Sequence, residues 1–488
     1  MMALQSWPLR GRRCGFQIPR TLLRSTFQRL KSTQKIKWLW EADKTVQDYH
    51  LADLQCTRRV VVNVTLKSVK PVHQDQVWQT LVHMQQKIPA LRTCILYKDD
   101  KMLFCQPSNL QIDFRVEKGS VDPSEVAYRA SNERFRPPEY GQWRAIFITN
   151  PANGQHSHQN TEDYPYQYNI IFTSHHGIND GSDTFFIIRF IVQTLNDVIA
   201  GNPIDDEEYT HFSYNKEIGL RIDSLKERLM NDSQFFKEVE SSIQSPESIP
   251  LILQAYPRPR NVVPSSKNIV RVIDSQVIEK FQNKAKEVGV TFSSSFVSVM
   301  NAAVMELVKE KGITRDSYDI ASHIYTDHRR YMKPSEKHVF GIFSAPMSYI
   351  SKVDKHIRDG FWDYCKQTHE ELQTLLHKGT PLEQKAFREL TDAQYDYVNR
   401  IRPASHDYTI TSVGNFPSFF GNADDLVQIS NFQGRCNIHN SCNSTLLEVF
   451  TVSNKCYSSL DYATNYFEDE TIKKLSNKIF SLMKYFSQ

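Results

Sequence analysis

Tyr166–Gly181 reads YQYNIIFTSHHGINDG. Apolar and β-branched residues run up to Ser174, then two histidines, two glycines and an aspartate crowd into 175–181. The run predicts a strand over Tyr166–Ser174, and Asp180-Gly181 predicts the start of a helix over Ser182–Ala200. The histidines therefore fall at a strand–loop–helix junction, where a rigid element holds residues at a turn. Extending the alternation of side chains through the junction puts Tyr168, Ile170, Phe172, Ser174 and His176 on one face. Ile171, Thr173 and His175 share the other. Two adjacent imidazoles then serve different ends.

Histidine titrates near neutral pH, with an ordinary pKa of about 6.5, so it can take a proton and return it. Asp180 can orient the loop, and Gly177 and Gly181 tolerate a tight backbone. The plainer alternative is a histidine serving as a polar strand cap and Asp180 as a helix N-cap.

Outward from this stretch the chain alternates strands and helices. Strands are predicted at Arg59–Lys67, Leu91–Tyr97, Lys101–Cys105 and Trp143–Thr149. Helices are predicted at Gln74–Ile88, with Val77, Leu81 and Met84 on one stripe, and at Ser124–Phe135. Residues 201–265 are turn-rich, acidic at first and later proline-rich, and mark a crossover. Beyond it come strands at Asn268–Ile273, Asp319–Tyr325, Val339–Ile350, Tyr408–Val413, Val427–Phe432 and Leu446–Ser453. Helices are predicted at Ser275–Val288, Phe292–Lys311, Gly360–His377 and Glu468–Phe486. The two halves have similar size and alternation.

At 488 residues the chain is long enough for two domains. A hydrophobic share of 40% and a charged share of 23% are those of a globular protein and set disorder aside. The net charge of +4 comes without a long basic block, so nucleic acid is not an expected partner. No run of about twenty apolar residues occurs, so no membrane span is expected. Met1–Trp40 contains no acidic residue and can form a basic amphipathic helix with Leu22, Leu23, Phe27 and Leu30 roughly on one side. That is the composition of a mitochondrial transit peptide, the alternative being a basic tail on a cytoplasmic protein. Cys436, His439 and Cys442 are spaced three apart, but a zinc site needs four ligands and no second cluster is evident, so no metal is expected.

HHGINDG, His175–Gly181, matches the HHxxxDG motif of the CoA-dependent acyltransferase superfamily. That group includes BAHD acyltransferases, alcohol acetyltransferases, wax ester synthases, mycobacterial polyketide-associated acyltransferases and peptide-synthetase condensation domains. YTDHRRYM, Tyr325–Met332, resembles the family's second-domain arginine stretch. VFGIFSAPM, Val339–Met347, resembles the strand after it, and YSSLDYATNYFEDETIKKL, Tyr457–Leu475, resembles the closing strand and helix. The resemblance runs from about residue 40 to the C-terminus.

The resemblance implies an α/β fold with mixed sheets: two chloramphenicol-acetyltransferase-like domains forming a pseudo-dimer around a central tunnel. The basic leader would span 1–40, the first domain 41–215, the crossover linker 216–265 and the second domain 266–488. His176 would be the general base in direct acyl transfer from acyl-CoA, a co-substrate rather than a bound cofactor, to a small alcohol or amine. His175, Asp180 and Gly181 would support the loop. Asp180 would pair with Arg329, or failing that Arg330. A monomer is expected. The alternatives are condensation on an acyl carrier and a non-catalytic acyl-CoA- or lipid-binding protein. The plant-type DFGWG motif is absent; SVGNFPSFFGN, Ser412–Asn422, resembles the alcohol acetyltransferase and condensation branch instead. A developing oxyanion needs a donor, and the hydroxyls of Ser412 and Ser344 are candidates.

Overall fold

A computed structural model describes residues 35–488 apart from 152–162, 213–215, 245–246, 248, 274, 335–337, 392–403, 417–418, 423, 440, 442 and 453–454. The leader up to residue 34, most of the polar loop after Thr149, and Cys442 lie outside the described residues. Ile36–Gln488 forms one compact unit. No single helix among the described residues is long and apolar enough to cross a membrane.

The described strands are, in chain order, β1 Ile36–Glu41, β2 Val60–Ser68, β3 Cys94–Lys98, β4 Lys101–Pro107, β5 Gln111–Val121, β6 Tyr140–Pro151, β7 Tyr166–Ser174 and β8 Thr210–His211. They continue with β9 Ser266–Ile273, β10 Ser317–Asp327, β11 His338–Val339, β12 Ser344–Asp354, β13 Tyr408–Asn415, β14 Val427–Cys436, β15 Thr445–Val452 and β16 Lys455–Ala463. Two large mixed sheets dominate, ordered β14-β2-β7-β6-β5 and β12-β10-β13-β15-β16-β9, with a small sheet β1-β4-β3 and the pair β11-β8. The mixed α/β class expected from the sequence is the class observed.

The halves are interlocked. β14 leaves the C-terminal half and pairs antiparallel with β2, from Val427 opposite Ser68 to Cys436 opposite Val60. β11 pairs parallel with β8, His338 opposite Thr210 and Val339 opposite His211. The region 216–265, expected as the crossover linker, carries three helices, Lys216–Asn231, Ser233–Ile243 and Leu251–Ala255. Ile218, Ile222, Phe235 and Val239 of the first two join Leu382, Phe387 and Phe343 in one buried cluster, while Leu251–Ala255 packs into the larger core. The helix Thr380–Leu390, which supplies Leu382 and Phe387, is buried on most sides, from Thr380 to Arg388.

Two long helices stand out. Phe292–Glu310 is the centre of the larger core, with Phe296, Met300 and Val304 buried. Gly181–Ala200 buries Ile187, Ile188, Ile191 and Leu195 and ends at Gly201, whose left-handed φ of 73° suits glycine. Its N-terminus carries the motif.

Candidate active site

β7 ends at Ser174 and the chain turns over 175–178, so strand alternation stops before the histidines rather than running through His176 as expected. The two imidazoles nonetheless have separate surroundings. His175 is fully buried. Its Nδ1 accepts the Gly177 N–H at 2.8 Å, and its Nε2 lies 3.3 Å from His50 Nδ1. His176 is partly exposed; its Nδ1 lies 2.9 Å from the Asn179 carbonyl, and the Tyr49 ring sits 4.4 Å from its own ring. A carbonyl only accepts, so Nδ1 carries the ring proton and donates it. Nε2 is left with the lone pair.

Burial pushes His175 down to about 3. Burial also lowers His176; the Asn179 carbonyl and Asp180 oppose this, and Arg58 adds to it. Both rings are neutral at neutral pH.

Asp180 turns away from His176. One carboxylate oxygen caps the helix by accepting from Asp183 N, and the other accepts from Arg329 at 2.8 Å and from Phe343 N at 3.2 Å. The N-cap and the arginine partner, read from the sequence as alternatives, are both present on the one side chain. Arg330 is exposed, and Arg329 is the partner.

Asp183 was not singled out in the sequence. It is fully buried and accepts from Arg329 at 2.8 Å, from Gly341 N at 3.0 Å and from Asp180 N at 3.1 Å, with His338 Nε2 2.6 Å away. Burial and the neighbouring Asp180 raise it to about 6, while Arg329 pulls the other way. Arg329 also donates to the Val339 carbonyl at 3.0 Å and lies 4.6 Å over the Phe343 ring. The signal for Asp183 was available: Asp180-x-x-Asp183 is an N-terminal capping box.

This clamp explains a further difference. Val339–Ile350, expected as one strand, is broken between β11 and β12. The amides of Gly341 and Phe343, which a ladder would use, donate to Asp183 and Asp180. Gly341 takes φ +143° to allow it.

The two motif glycines differ. A Cβ on Gly177 would sit 2.8 Å from the His175 ring and from Ile95, so only glycine fits. A Cβ on Gly181 would meet nothing nearer than Val413 at 3.8 Å, and its φ is not left-handed. Gly181 was expected to support the loop through its backbone shape, but its conformation is open to other residues; Gly177 is the glycine with a steric role, since it leaves room for the His175 ring and Ile95.

Of the hydroxyl candidates, Ser412 is half-buried on β13 and lies 2.7 Å from the Ser293 hydroxyl. Ser344 opens β12 opposite Asp327. Of the cysteine–histidine triplet, His439 Nδ1 is 2.9 Å from the Ser266 hydroxyl and Cys436 donates its amide to Asp461. Among the described residues no group of three or more His, Cys, Asp or Glu side chains is placed to hold a metal. A cavity of about 130 Å³ opens beside the motif loop, between Gly177 and Phe340–Phe343, with His328, Lys385 and Glu389 in its wall.

No protein-family model and no curated protein sequence matches the chain. Solved structures do resemble it. The trichothecene 15-O-acetyltransferase TRI3 from Fusarium sporotrichioides superposes with a TM-score of 0.66 at 11% identity, covering 93% of this chain and 96% of that one. The condensation domain of the monacolin K polyketide synthase MokA gives 0.65 at 11% identity, covering 93% and 97%. The starter condensation domain of the rhizomide synthetase RzmA, in complex with C8-CoA and Leu-SNAC, gives 0.62 at 11% identity, covering 96% of each chain. The chain has the mixed α/β fold of these two condensation domains and this acetyltransferase.

Proposed function

We propose that the protein is an acyltransferase that moves an acyl group from acyl-CoA directly to a small alcohol or amine, with His176 as general base. The observation that carries this reading is the His176 tautomer. Nδ1–H is committed to the Asn179 carbonyl, so Nε2 is free to take a proton. Burial keeps the ring neutral, the form that accepts one.

His176 Nε2 takes the proton of the acceptor hydroxyl or amine as its oxygen or nitrogen bonds to the thioester carbonyl carbon. The tetrahedral intermediate collapses, the C–S bond breaks, and His176 Nε2–H returns the proton to the departing thiolate. Asp180, engaged with Arg329 and Phe343 N, acts only by holding the loop.

The test incubates purified protein with a panel of acyl-CoA donors and pooled alcohols and amines while free thiol release is followed. A parallel arm presents the acyl group on a carrier phosphopantetheine, which separates acyl-CoA transfer from condensation on a carrier. Turnover lost in His176→Ala, with donor binding retained, is the expected result. No turnover with any donor, and donor binding unchanged in His176→Ala, leaves a binding protein and ends the enzyme reading.

A further inference from the structure

The helix Lys44–Asp53 contributes two adjacent side chains to the two motif histidines. Tyr49 packs its ring on His176, with centroids 4.4 Å apart, and His50 faces His175, with rings 5.4 Å apart. The second contact is a hydrogen bond whose direction can be derived. His175 Nδ1 accepts from Gly177 N–H, so the proton of the neutral ring sits on Nε2. That Nε2–H faces His50 Nδ1 at 3.3 Å, which must then be the acceptor. Both rings are buried, and burial holds both below the ordinary histidine range. The groups facing the pair are Asp53, ion-paired with Arg59, the Tyr97 ring at 5.9 Å from His50, and His176 itself.

The turn has little freedom to compensate. The His175 ring lies so close over Gly177 that a Cβ would strike it at 2.8 Å. His175 that flips, or takes the other tautomer, gives up the Gly177 amide and lets the turn carrying His176 relax. We propose that His50 is a positioning residue for His176: by accepting from His175 Nε2–H it holds His175 in the tautomer that receives the Gly177 amide, and so fixes where His176 presents Nε2. The importance of the arrangement for turnover rests on the acyl-transfer reading; the positioning itself does not.

The test compares His50→Leu, which removes the acceptor, with His50→Asn, whose amide oxygen reaches the place of Nδ1. Three quantities are read: the thermal midpoint, the rate at which diethyl pyrocarbonate modifies His176 as mapped by peptide mass spectrometry, and thiol release from acyl-CoA. His50→Leu is expected to change the His176 modification rate and lower kcat by roughly tenfold or more at unchanged KM for acyl-CoA, since small misplacements of a catalytic group have large kinetic effects. His50→Asn stays within about threefold of wild type. If His50→Leu does not fold, His50→Gln, whose amide reaches to the Nε2 position instead, takes its place. Equal behaviour of the acceptor-free and acceptor-bearing variants overturns the proposal. If no acyl-CoA is turned over but His176 modification still separates Leu from Asn, the positioning stands and the acyl-transfer reading falls. If turnover is brisk and identical in His50→Leu, the positioning falls and the acyl-transfer reading stands.

Discussion

Arg329 reaches Asp180 at 2.8 Å across 149 residues of chain and Asp183 at 2.8 Å with its other terminal nitrogen. One guanidinium thus bridges two buried carboxylates at the start of the helix that follows the motif. Both carboxylates are almost wholly buried, so their charge depends on this partner. Arg329→Ala is expected to lower folding stability by about 3–5 kcal/mol, the usual effect of breaking a buried pair from one side. Arg329→Lys offers one nitrogen where two are used and recovers only part of that. Urea unfolding of the three proteins measures this, and equal stability of Ala and wild type would show the clamp to be idle.

Asp183→Asn tests the same clamp from its other end. All the groups around Asp183 are positioned to donate: Arg329, two backbone amides, and His338 Nε2 when it carries its proton. An amide side chain turns one acceptor into a donor facing a donor. The expected loss is about 1–3 kcal/mol, seen as a lower denaturation midpoint with an unchanged m-value.

Gly177 and Gly181 separate cleanly under substitution to alanine. Gly177→Ala drives a methyl into the His175 ring and Ile95 at 2.8 Å, so a loss of about 1–3 kcal/mol and a fall in kcat are expected. Gly181→Ala enters ordinary contact with Val413 at the first turn of a helix, and its effect stays within about 1 kcal/mol. A paired thermal-shift and thiol-release measurement checks the order; Gly181→Ala as the worse variant would contradict the packing.

The sequence made the motif legible because its parts are local. Strand, turn and helix start follow from alternation, glycine and an Asp cap, and the resemblance supplied Arg329. What it hid was either buried on all sides or distant. The helix Lys44–Asp53 has nearly every residue buried, so it shows no polar stripe, and nothing local marks Tyr49 and His50. His338 reaches Asp183 only because the β11–β12 strand breaks, and that break is enforced by carboxylates 155 or more residues away. β14 reads as an ordinary strand; nothing in its residues states that it pairs with β2.

Acid should weaken the fold through its buried imidazoles. His175, His328 and His406 are each held near 3 by burial. Their folded values lie below the unfolded value of about 6.5, so the unfolded chain binds the extra protons. The stability tied to them is complete above pH 6.5 and is lost as pH falls toward 3, by up to about 1.4 kcal/mol per pH unit for each histidine. Asp407 and Glu448, raised to about 7 by burial, work in the opposite sense, binding protons in the folded state between their unfolded values and 7. Below about pH 4 those carboxyls are protonated in both states, and the histidines act unopposed. Urea midpoints measured from pH 7.5 to 3.5 should therefore decline most steeply below pH 4; a midpoint that rises on acidification in that window would contradict this.

The pH dependence of turnover follows from the same physics at one ring. His176 works as a base only when neutral, so activity falls as pH drops through its pKa. Burial sets that pKa below 6.5, with the Asn179 carbonyl and Asp180 holding it up and Arg58 pushing it further down. The acid limb of kcat/KM should accordingly lie below 6.5, with a plateau above it. Arg58 can be tested separately, since it donates to the Tyr325 hydroxyl at 3.1 Å and lies 5.6 Å over Tyr49, the ring packed on His176. Arg58→Met keeps an unbranched stem and removes the positive charge. Protonating His176 then meets less repulsion, and the limb moves up toward 6.5. A wild-type limb at or above 6.5, or a downward shift in Arg58→Met, would show that another group governs the profile.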